Sequence, residues 1–139
     1  MGAVNTGKPV LIIDDDMQMR FYLMTMVKSL GMEPVTARDG DEGLDILRTL
    51  HPALIILDIM MPKKGGTIVY KRITAHKTLK KIPLVFFSAV DRGAFMHYIR
   101  MLNNQDQVQI PEPEYYVAKN ADPAYLRSVL VRCLNESGT

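Results

Sequence analysis

The sequence predicts a doubly wound α/β domain in which five parallel strands alternate with five helices. Three continuous apolar runs support this, at residues 9–13, 53–57 and 82–87. Each run is short, contains β-branched residues and is bounded by proline, glycine or polar residues, which is typical of strands buried on both faces of a parallel sheet. Helical patterns of apolar residues separate these runs, as a parallel sheet with crossover helices requires.

The remaining elements follow in chain order. Helix is predicted over residues 17–30, with Asp16 as N-cap and Gly31 as C-cap. A strand at 33–37 leads to Asp39 and Glu42, which resemble a capping box for a helix that continues to Leu50. After residues 65–66, whose glycines are expected to allow unusual backbone angles, a helix buries Val69 and Ile73. We predict further helices at about 92–102 and after Asp122-Pro123, and a last strand at 114–118.

Composition limits the functional classes. The chain has 139 residues, enough for one domain with a core, and is 47% hydrophobic and 23% charged. Its net charge of +2 is too small to argue for nucleic acid binding. The single cysteine, Cys133, excludes an internal disulfide. With no membrane-length apolar run and no signal-peptide core, we expect a cytoplasmic protein with a domain at 9–135, a flexible leader at 1–8 and a flexible tail at 136–139.

Polar side chains follow four of the predicted strands at the point where each strand ends. Asp14 and Asp15 follow the first strand, Asp58 the third, Ser88 the fourth and Lys119 the fifth. In a sheet of order 2-1-3-4-5 the switch point lies between strands 1 and 3, which brings the acidic pair beside Asp58. An isolated aspartate at a strand end can equally cap a turn, so the combination carries the argument.

This combination has a definite chemistry. Clustered carboxylates with a carbonyl oxygen form a site for Mg²⁺, which keeps several waters and bridges to phosphate. A carboxylate beside the metal can attack phosphorus, and a lysine ammonium and a hydroxyl can neutralise the phosphoryl oxygens.

The chain closely resembles the receiver domain of two-component response regulators, including the chemotaxis regulators. The resemblance covers residues 10–133 and rests on four pieces in order, at 11–16, 54–62, 88–89 and 116–119. It implies a flavodoxin-like (βα)5 fold. By this resemblance Asp58 is the phosphoacceptor, and Asp14 and Asp15 bind Mg²⁺ together with Asp58 and the backbone carbonyl of Met60. Ser88 would contact the phosphoryl group, Lys119 would pair with it, and Tyr116 would be the switch aromatic that follows Ser88.

Three departures from the family pattern stand out. Asn120 replaces the proline that usually follows the lysine, so we expect a trans or strained bond there, since a non-proline cis bond costs about 3 kcal/mol. Residues 103–114 are predicted to form an extended loop with few apolar anchors. Lys63 and Lys64 replace a small residue near the phosphoryl pocket. A basic region at 71–81 is interpreted as a solvated helix face.

The resemblance implies a stand-alone receiver phosphorylated on Asp58 by a sensor histidine kinase or histidine phosphotransfer protein. It would signal by binding an unknown downstream protein, as a monomer or phosphorylation-dependent dimer, without direct nucleic acid or membrane binding. Self-phosphorylation and slow dephosphorylation make "enzyme" a poor description. One alternative is a phosphorylation-independent pseudo-receiver. Another is an aspartate-nucleophile phosphatase of the haloacid dehalogenase type, but residues 14–18 lack that family's Asp-x-Asp-x-Thr pattern.

Overall fold

A computed structural model describes residues 7–62, 64–105 and 109–137. Its five strands form one parallel sheet in the spatial order second, first, third, fourth, fifth, which confirms the predicted architecture. The strands are β1 Pro9–Ile13, β2 Glu33–Ala37, β3 Leu54–Leu57, β4 Leu84–Ser88 and β5 Tyr115–Ala118. The helices are α1 Met17–Ser29, α2 Gly40–Ile46, α3 Gly66–Ala75, α4 Arg92–Gln105 and α5 Pro123–Ser137, with a 3-10 turn at Leu79–Lys81.

Two hydrophobic cores lie on opposite faces of the sheet, because successive side chains of each strand point to opposite sides. On one face, Ile12 and Ile56 pack with α1 and α5. On the other face, Ile13 and Leu57 pack with α2, α3 and α4. Both faces of the central strands are therefore covered, which explains why β1 and β3 read as unbroken apolar runs.

Helix ends follow the predicted capping with two adjustments. The Asp16 carboxylate accepts from the amide of Gln18 at 2.9 Å, and Gly31 adopts a positive φ of 78° after α1. Asp39 accepts from the Glu42 amide at 2.8 Å, but Glu42 accepts from the amide of Arg38 instead of that of Asp39. The capping box is thus displaced by one residue. The regular helix α2 ends at Ile46 and continues as turns, so the predicted extension to Leu50 was too long.

The predicted extended loop at 103–114 is confirmed in part, because residues 109–114 form no helix or strand, but the expectation that little holds it was wrong. The helix α4 continues to Gln105, and residues 106–108 lie outside the described part of the chain. Beyond them Ile110 is buried, with 3% of its surface exposed. The side-chain amide of Asn103 donates to the Ile110 carbonyl at 2.9 Å and accepts from the Ile110 amide at 2.7 Å. The hydroxyl of Tyr70 on α3 donates to the carbonyl of Pro111 at 2.8 Å. The two hydrogen bonds of Asn103, which we call the amide clamp, and the hydroxyl of Tyr70 therefore hold the backbone of Ile110 and Pro111.

The described residues at the two ends of the chain make backbone contacts, and the flexibility predicted for 1–8 and 136–139 stays a prediction. The amide of Gly7 donates to the carbonyl of Gly31, and the carbonyl of Lys8 accepts from Glu33. The helix α5 includes Glu136 and Ser137, which the predicted flexible tail had contained. Residues 1–6 of the predicted leader and 138–139 of the tail lie outside the described residues. Within the described ranges no helix is long and apolar enough to cross a bilayer.

The amide clamp gives a first testable prediction. Replacing Asn103 with alanine leaves the amide and carbonyl of buried Ile110 without partners, and we expect a loss of about 1 to 2 kcal/mol in the free energy of unfolding. Asn104→Ala is the matched control, because Asn104 is exposed on the same helix, and should change stability by less than about 0.5 kcal/mol. Urea denaturation measures both. Equal effects of the two substitutions would contradict the clamp.

Candidate functional site

The carboxyl ends of the strands bring the predicted site residues together. Hydrogen bonds of the sheet continue one residue past three strands: Asp14 donates its amide to Ala37, Asp58 to Ile13, and Lys119 to Ser88. Each of these three residues is therefore hydrogen-bonded through its backbone to the end of a neighbouring strand. Because the strands are buried, this backbone is fixed, and the side chains leave it from defined positions.

The centre of the site is an ammonium shared between two buried carboxylates. The Nζ atom of Lys119 lies 3.0 Å from Oδ2 of Asp14 and 3.2 Å from Oδ2 of Asp58. Asp14 and Asp58 expose 1% and 3% of their surface. The second oxygen of each carboxylate accepts a backbone amide, from Asp16 at 2.9 Å and from Ile59 at 2.8 Å. One cation thus faces two buried acids.

The pKa shifts express this imbalance. Burial raises the pKa of the Asp14 carboxyl, and the contacts with Asp16 and Lys119 do not cancel the effect. Burial, together with the neighbouring charge of Asp14, likewise raises the pKa of the Asp58 carboxyl. Burial alone lowers the pKa of the Lys119 ammonium, but the two carboxylates outweigh it and the pKa lies above its usual value. A single ammonium does not fully compensate two desolvated carboxylates.

The donor set fits a hard divalent cation such as Mg²⁺. Carboxylate oxygens of Asp14, Asp15 and Asp58 lie within 4.8 Å of one another, and Asp15 is exposed to solvent. Oδ2 of Asp14 is buried and, apart from its ion pair with Lys119, makes no hydrogen bond of good geometry. Three oxygens beside open solvent suit a cation that retains part of its water shell. Met60 lies two residues after Asp58 in the loop beside the site, and the metal role of its carbonyl stays a prediction.

The predicted switch residues meet at Val90. The buried hydroxyl of Ser88 accepts from the Val90 amide at 3.1 Å. The hydroxyl of Tyr116 donates to the Val90 carbonyl at 2.6 Å. The Tyr116 ring lies 5.9 Å from that of Phe86 and 5.8 Å from that of Phe95. Ser88 and Tyr116 are therefore connected through one backbone unit of the β4–α4 loop.

The structure adds residues that sequence reasoning missed. Nη1 of Arg20 on α1 donates to the carbonyl of Asp14 at 2.8 Å and so helps to fix the backbone of the loop that joins β1 to α1. No pattern in the sequence indicates this contact, because it joins a helix side chain to a backbone carbonyl six residues earlier. Gly66 begins α3 so close to β3 that a Cβ there would lie 2.1 Å from the carbonyl of Asp58. The prediction of unusual angles at 65–66 was wrong, since the positive φ values are at Gly7 and Gly31. Close approach explains Gly66.

The departures at Asn120 and Lys64 have clear structural outcomes. Cis peptide bonds are absent from the described residues, so the bond before Asn120 is trans and Lys119 nevertheless reaches both carboxylates. The ammonium of Lys64 pairs with the carboxylate of Asp41 on α2, which directs it to that helix. Lys63 lies outside the described residues.

A comparison with known families matches this arrangement. The family model for the response regulator receiver domain covers residues 10–130. The chain belongs to the response regulator receiver family. This assignment accounts for the sheet order and for acidic side chains at the ends of β1 and β3, and it confirms the resemblance inferred from the four sequence pieces.

Related proteins place the receiver among two-component regulators. It is 37% identical over 83 residues to a probable transcriptional regulator, ycf27, of Cyanophora paradoxa, covering 60% of this chain and 34% of that one. It is 33% identical over 91 residues to protein PilG of Pseudomonas aeruginosa, covering 66% and 67%. The receiver thus spans about a third of the length of the ycf27 relatives.

Solved structures agree in fold. Chemotaxis response regulator CheY4 of Vibrio cholerae superposes with a TM-score of 0.76 at 22% identity, over 92% of this chain and 99% of that one. A CheY-like receiver domain protein of Methanospirillum hungatei gives the same TM-score and identity over 94% and 96%.

The raised carboxyl pKa values predict how stability depends on pH. A carboxyl whose pKa is raised by folding favours the folded state while protonated, and this contribution is lost as pH rises through the raised pKa. The metal-free receiver should therefore lose the contribution of Asp14 and Asp58 above their unfolded pKa of about 4. A magnesium ion held by these carboxylates would compete with protons for the same oxygens, so millimolar Mg²⁺ should raise Tm more at about pH 8 than at about pH 5. An equal or smaller shift at the higher pH contradicts this.

Proposed function

We propose that this receiver is a phosphorylation switch, with Asp58 as acceptor in a Mg²⁺-dependent phosphorelay. The observation that supports it most strongly is the buried Asp58 carboxylate, 3.2 Å from Lys119 and clustered with Asp14 and Asp15. An ion pair that only stabilised the fold would need one acid for one base, and further carboxylates beside it would reduce its contribution to stability. Three acids and one lysine suit a site that receives both a divalent cation and a phosphoryl group.

The proposed step is a direct transfer. A carboxylate oxygen of Asp58 attacks phosphorus, and the new O–P bond forms as the bond to the donor breaks, with its electron pair leaving on the donor group. Magnesium, when held by Asp14, Asp15 and Asp58 with the Met60 carbonyl, supplies charge neutralisation for the phosphoryl oxygens. Lys119 and the hydroxyl of Ser88 would bind the transferred group. Attack by water later releases phosphate and restores the Asp58 carboxylate.

The donor we propose is a sensor histidine kinase or a histidine phosphotransfer protein, acting in the cytoplasm. The receiver would pass the signal on by binding another protein, as a monomer or as a dimer that phosphorylation favours. Its chemistry is limited to accepting and slowly losing one phosphoryl group, so we regard it as a switch and not as an enzyme acting on a separate substrate.

Tyr116 is proposed to report the phosphorylation state. The Val90 backbone bonds both Ser88 and Tyr116, so drawing the Ser88 hydroxyl toward a phosphoryl group would disturb the contact that holds the Tyr116 hydroxyl. A phosphoryl group can shift this equilibrium only by its different affinity for the two arrangements. A beryllofluoride mimic should therefore change hydrogen exchange in β4, the following loop and β5, and leave β2 and α2 unchanged.

Phosphotransfer itself tests the proposal. Incubation with Mg²⁺ and acetyl phosphate should add one phosphoryl group to the intact protein, seen as one mass increment. Asp58→Asn should abolish the increment, because the amide is not a nucleophile for this step. Asp16→Asn is the matched control, since Asp16 is an exposed helix cap close to the site, and should be labelled normally. Undiminished labelling of the Asp58→Asn variant would contradict the assignment of Asp58 as phosphoacceptor. Absence of labelling in the wild-type protein would favour a pseudo-receiver.

A further inference from the structure

Positive charge is concentrated in one segment of the receiver. Residues 59–90 contain no Asp or Glu and carry seven of the 17 Lys and Arg residues. The other ten share the rest of the chain with all 15 Asp and Glu. The net charge of +2 therefore hides a strongly basic segment in an otherwise acidic protein, and such asymmetry directs the approach of charged partners.

Five of these residues lie in the second half of α3 and in the segment that follows it, up to the end of the 3-10 turn. We call them the basic cluster: Lys71, Arg72, Lys77, Lys80 and Lys81. All except the half-buried Lys71 are exposed. Within the described part of the chain none of the five makes an ion pair, in contrast to Lys64, which pairs with Asp41. Their charges are available to a partner.

Hydrogen bonds and one buried side chain hold the backbone of the turn that carries Lys77, Lys80 and Lys81. Nδ1 of His76 accepts hydrogen bonds from the amides of Thr78 and Leu79, both at 3.1 Å. The carbonyl of His76 accepts from the amide of Lys80 at 3.1 Å. Leu79 anchors the turn in the core with 9% of its surface exposed. The lysines therefore leave a fixed turn, and less ordering entropy is lost when a partner binds them.

A groove runs beside the cluster at the amino ends of β1, β3 and β4. Its volume is about 610 Å³, and its apolar lining consists of Pro52, Ala53, Ile82 and Pro83. The polar lining consists of Lys8, His51, Thr78, Lys81 and Glu136. The Glu136 carboxylate accepts from the hydroxyl of Tyr115. We call this the strand-start groove. It combines a recess for apolar side chains with two lysines, Lys8 and Lys81, and Lys81 also belongs to the basic cluster.

We propose that the basic cluster and the strand-start groove form a docking surface for an acidic polypeptide segment of a partner protein. Carboxylates of the segment would pair with the lysines, and its apolar side chains would enter the groove. A nucleic acid would have little use for an apolar recess and would favour exposed aromatics for stacking, but the exposed aromatics in the described ranges lie on α1, α4 and α5. A bilayer surface favours protruding apolar side chains, not a recess.

This surface is separate from the phosphorylation site. The phosphorylation site lies at the carboxyl ends of β1, β3, β4 and β5, whereas the groove lies where β1, β3 and β4 begin. The proposal therefore does not depend on Asp58. The Asp58→Asn variant should bind the acidic segment as wild type does, which separates a failure of this proposal from a failure of phosphotransfer.

The test uses three synthetic peptides of equal length and fluorescence anisotropy. One alternates glutamate with leucine, the second glutamate with serine, and the third lysine with leucine. The Glu/Leu peptide should bind most tightly, and added salt should weaken its binding because the lysines are exposed. Lys77→Gln with Lys80→Gln and Lys81→Gln should weaken it about tenfold or more. The matched control combines Lys28→Gln, Arg38→Gln and Arg48→Gln, three exposed cations outside the cluster, and should change affinity less than about twofold.

Several results would overturn the proposal. They are absence of Glu/Leu binding at millimolar peptide, equal affinity for the Glu/Ser peptide, and equal weakening by the two triple variants. A single-stranded DNA oligonucleotide or phosphatidylserine vesicles could bind as tightly as the Glu/Leu peptide. If the Lys77, Lys80, Lys81 variant lost that binding, the surface would be assigned to nucleic acid or membrane instead.

Discussion

The sharing of one partly exposed ammonium by two buried carboxylates is the constraint on which the rest of this receiver depends. Lys119 lies within 3.2 Å of both Asp14 and Asp58. Such an arrangement stabilises folding poorly, because desolvation of the second acid is not repaid by a second base. The parallel sheet holds it in place, since strands buried on both faces fix the backbone from which all three side chains emerge.

The contacts around the site serve the same constraint. Arg20 holds the Asp14 carbonyl, and the absence of a side chain at Gly66 lets α3 approach the Asp58 carbonyl. Amides of Asp16 and Ile59 satisfy one oxygen of each carboxylate. The acids are thus fixed in position but not neutralised, and this suits the divalent cation and the phosphoryl group that we propose as the ligands of the site.

Much of this could be predicted from the sequence because the signals are local. Unbroken apolar runs ending in Asp14, Asp58 and Ser88 indicate parallel strands and the edge where their polar residues meet. What could not be predicted depends on tertiary contacts. The Asn103 side chain holds the backbone of Ile110, seven residues further along the chain, and no local pattern in the sequence indicates this contact. Gly66 was interpreted as a matter of backbone angle, whereas distance to β3 decides it. The contact of Lys119 with both carboxylates, although Asn120 replaces the usual proline, likewise depends on the tertiary structure.

The most direct test of the central claim is the free energy of unfolding of Asp14→Asn at neutral pH, with and without millimolar Mg²⁺. The substitution leaves Lys119 and Asp58 as a balanced pair. The account predicts that in metal-free buffer the variant is at least as stable as wild type, and that Mg²⁺ stabilises wild type but not the variant. A loss of more than about 2 kcal/mol in metal-free buffer, with an unchanged response to Mg²⁺, would show that Asp14 is a stabilising partner of Lys119 and contradict the claim.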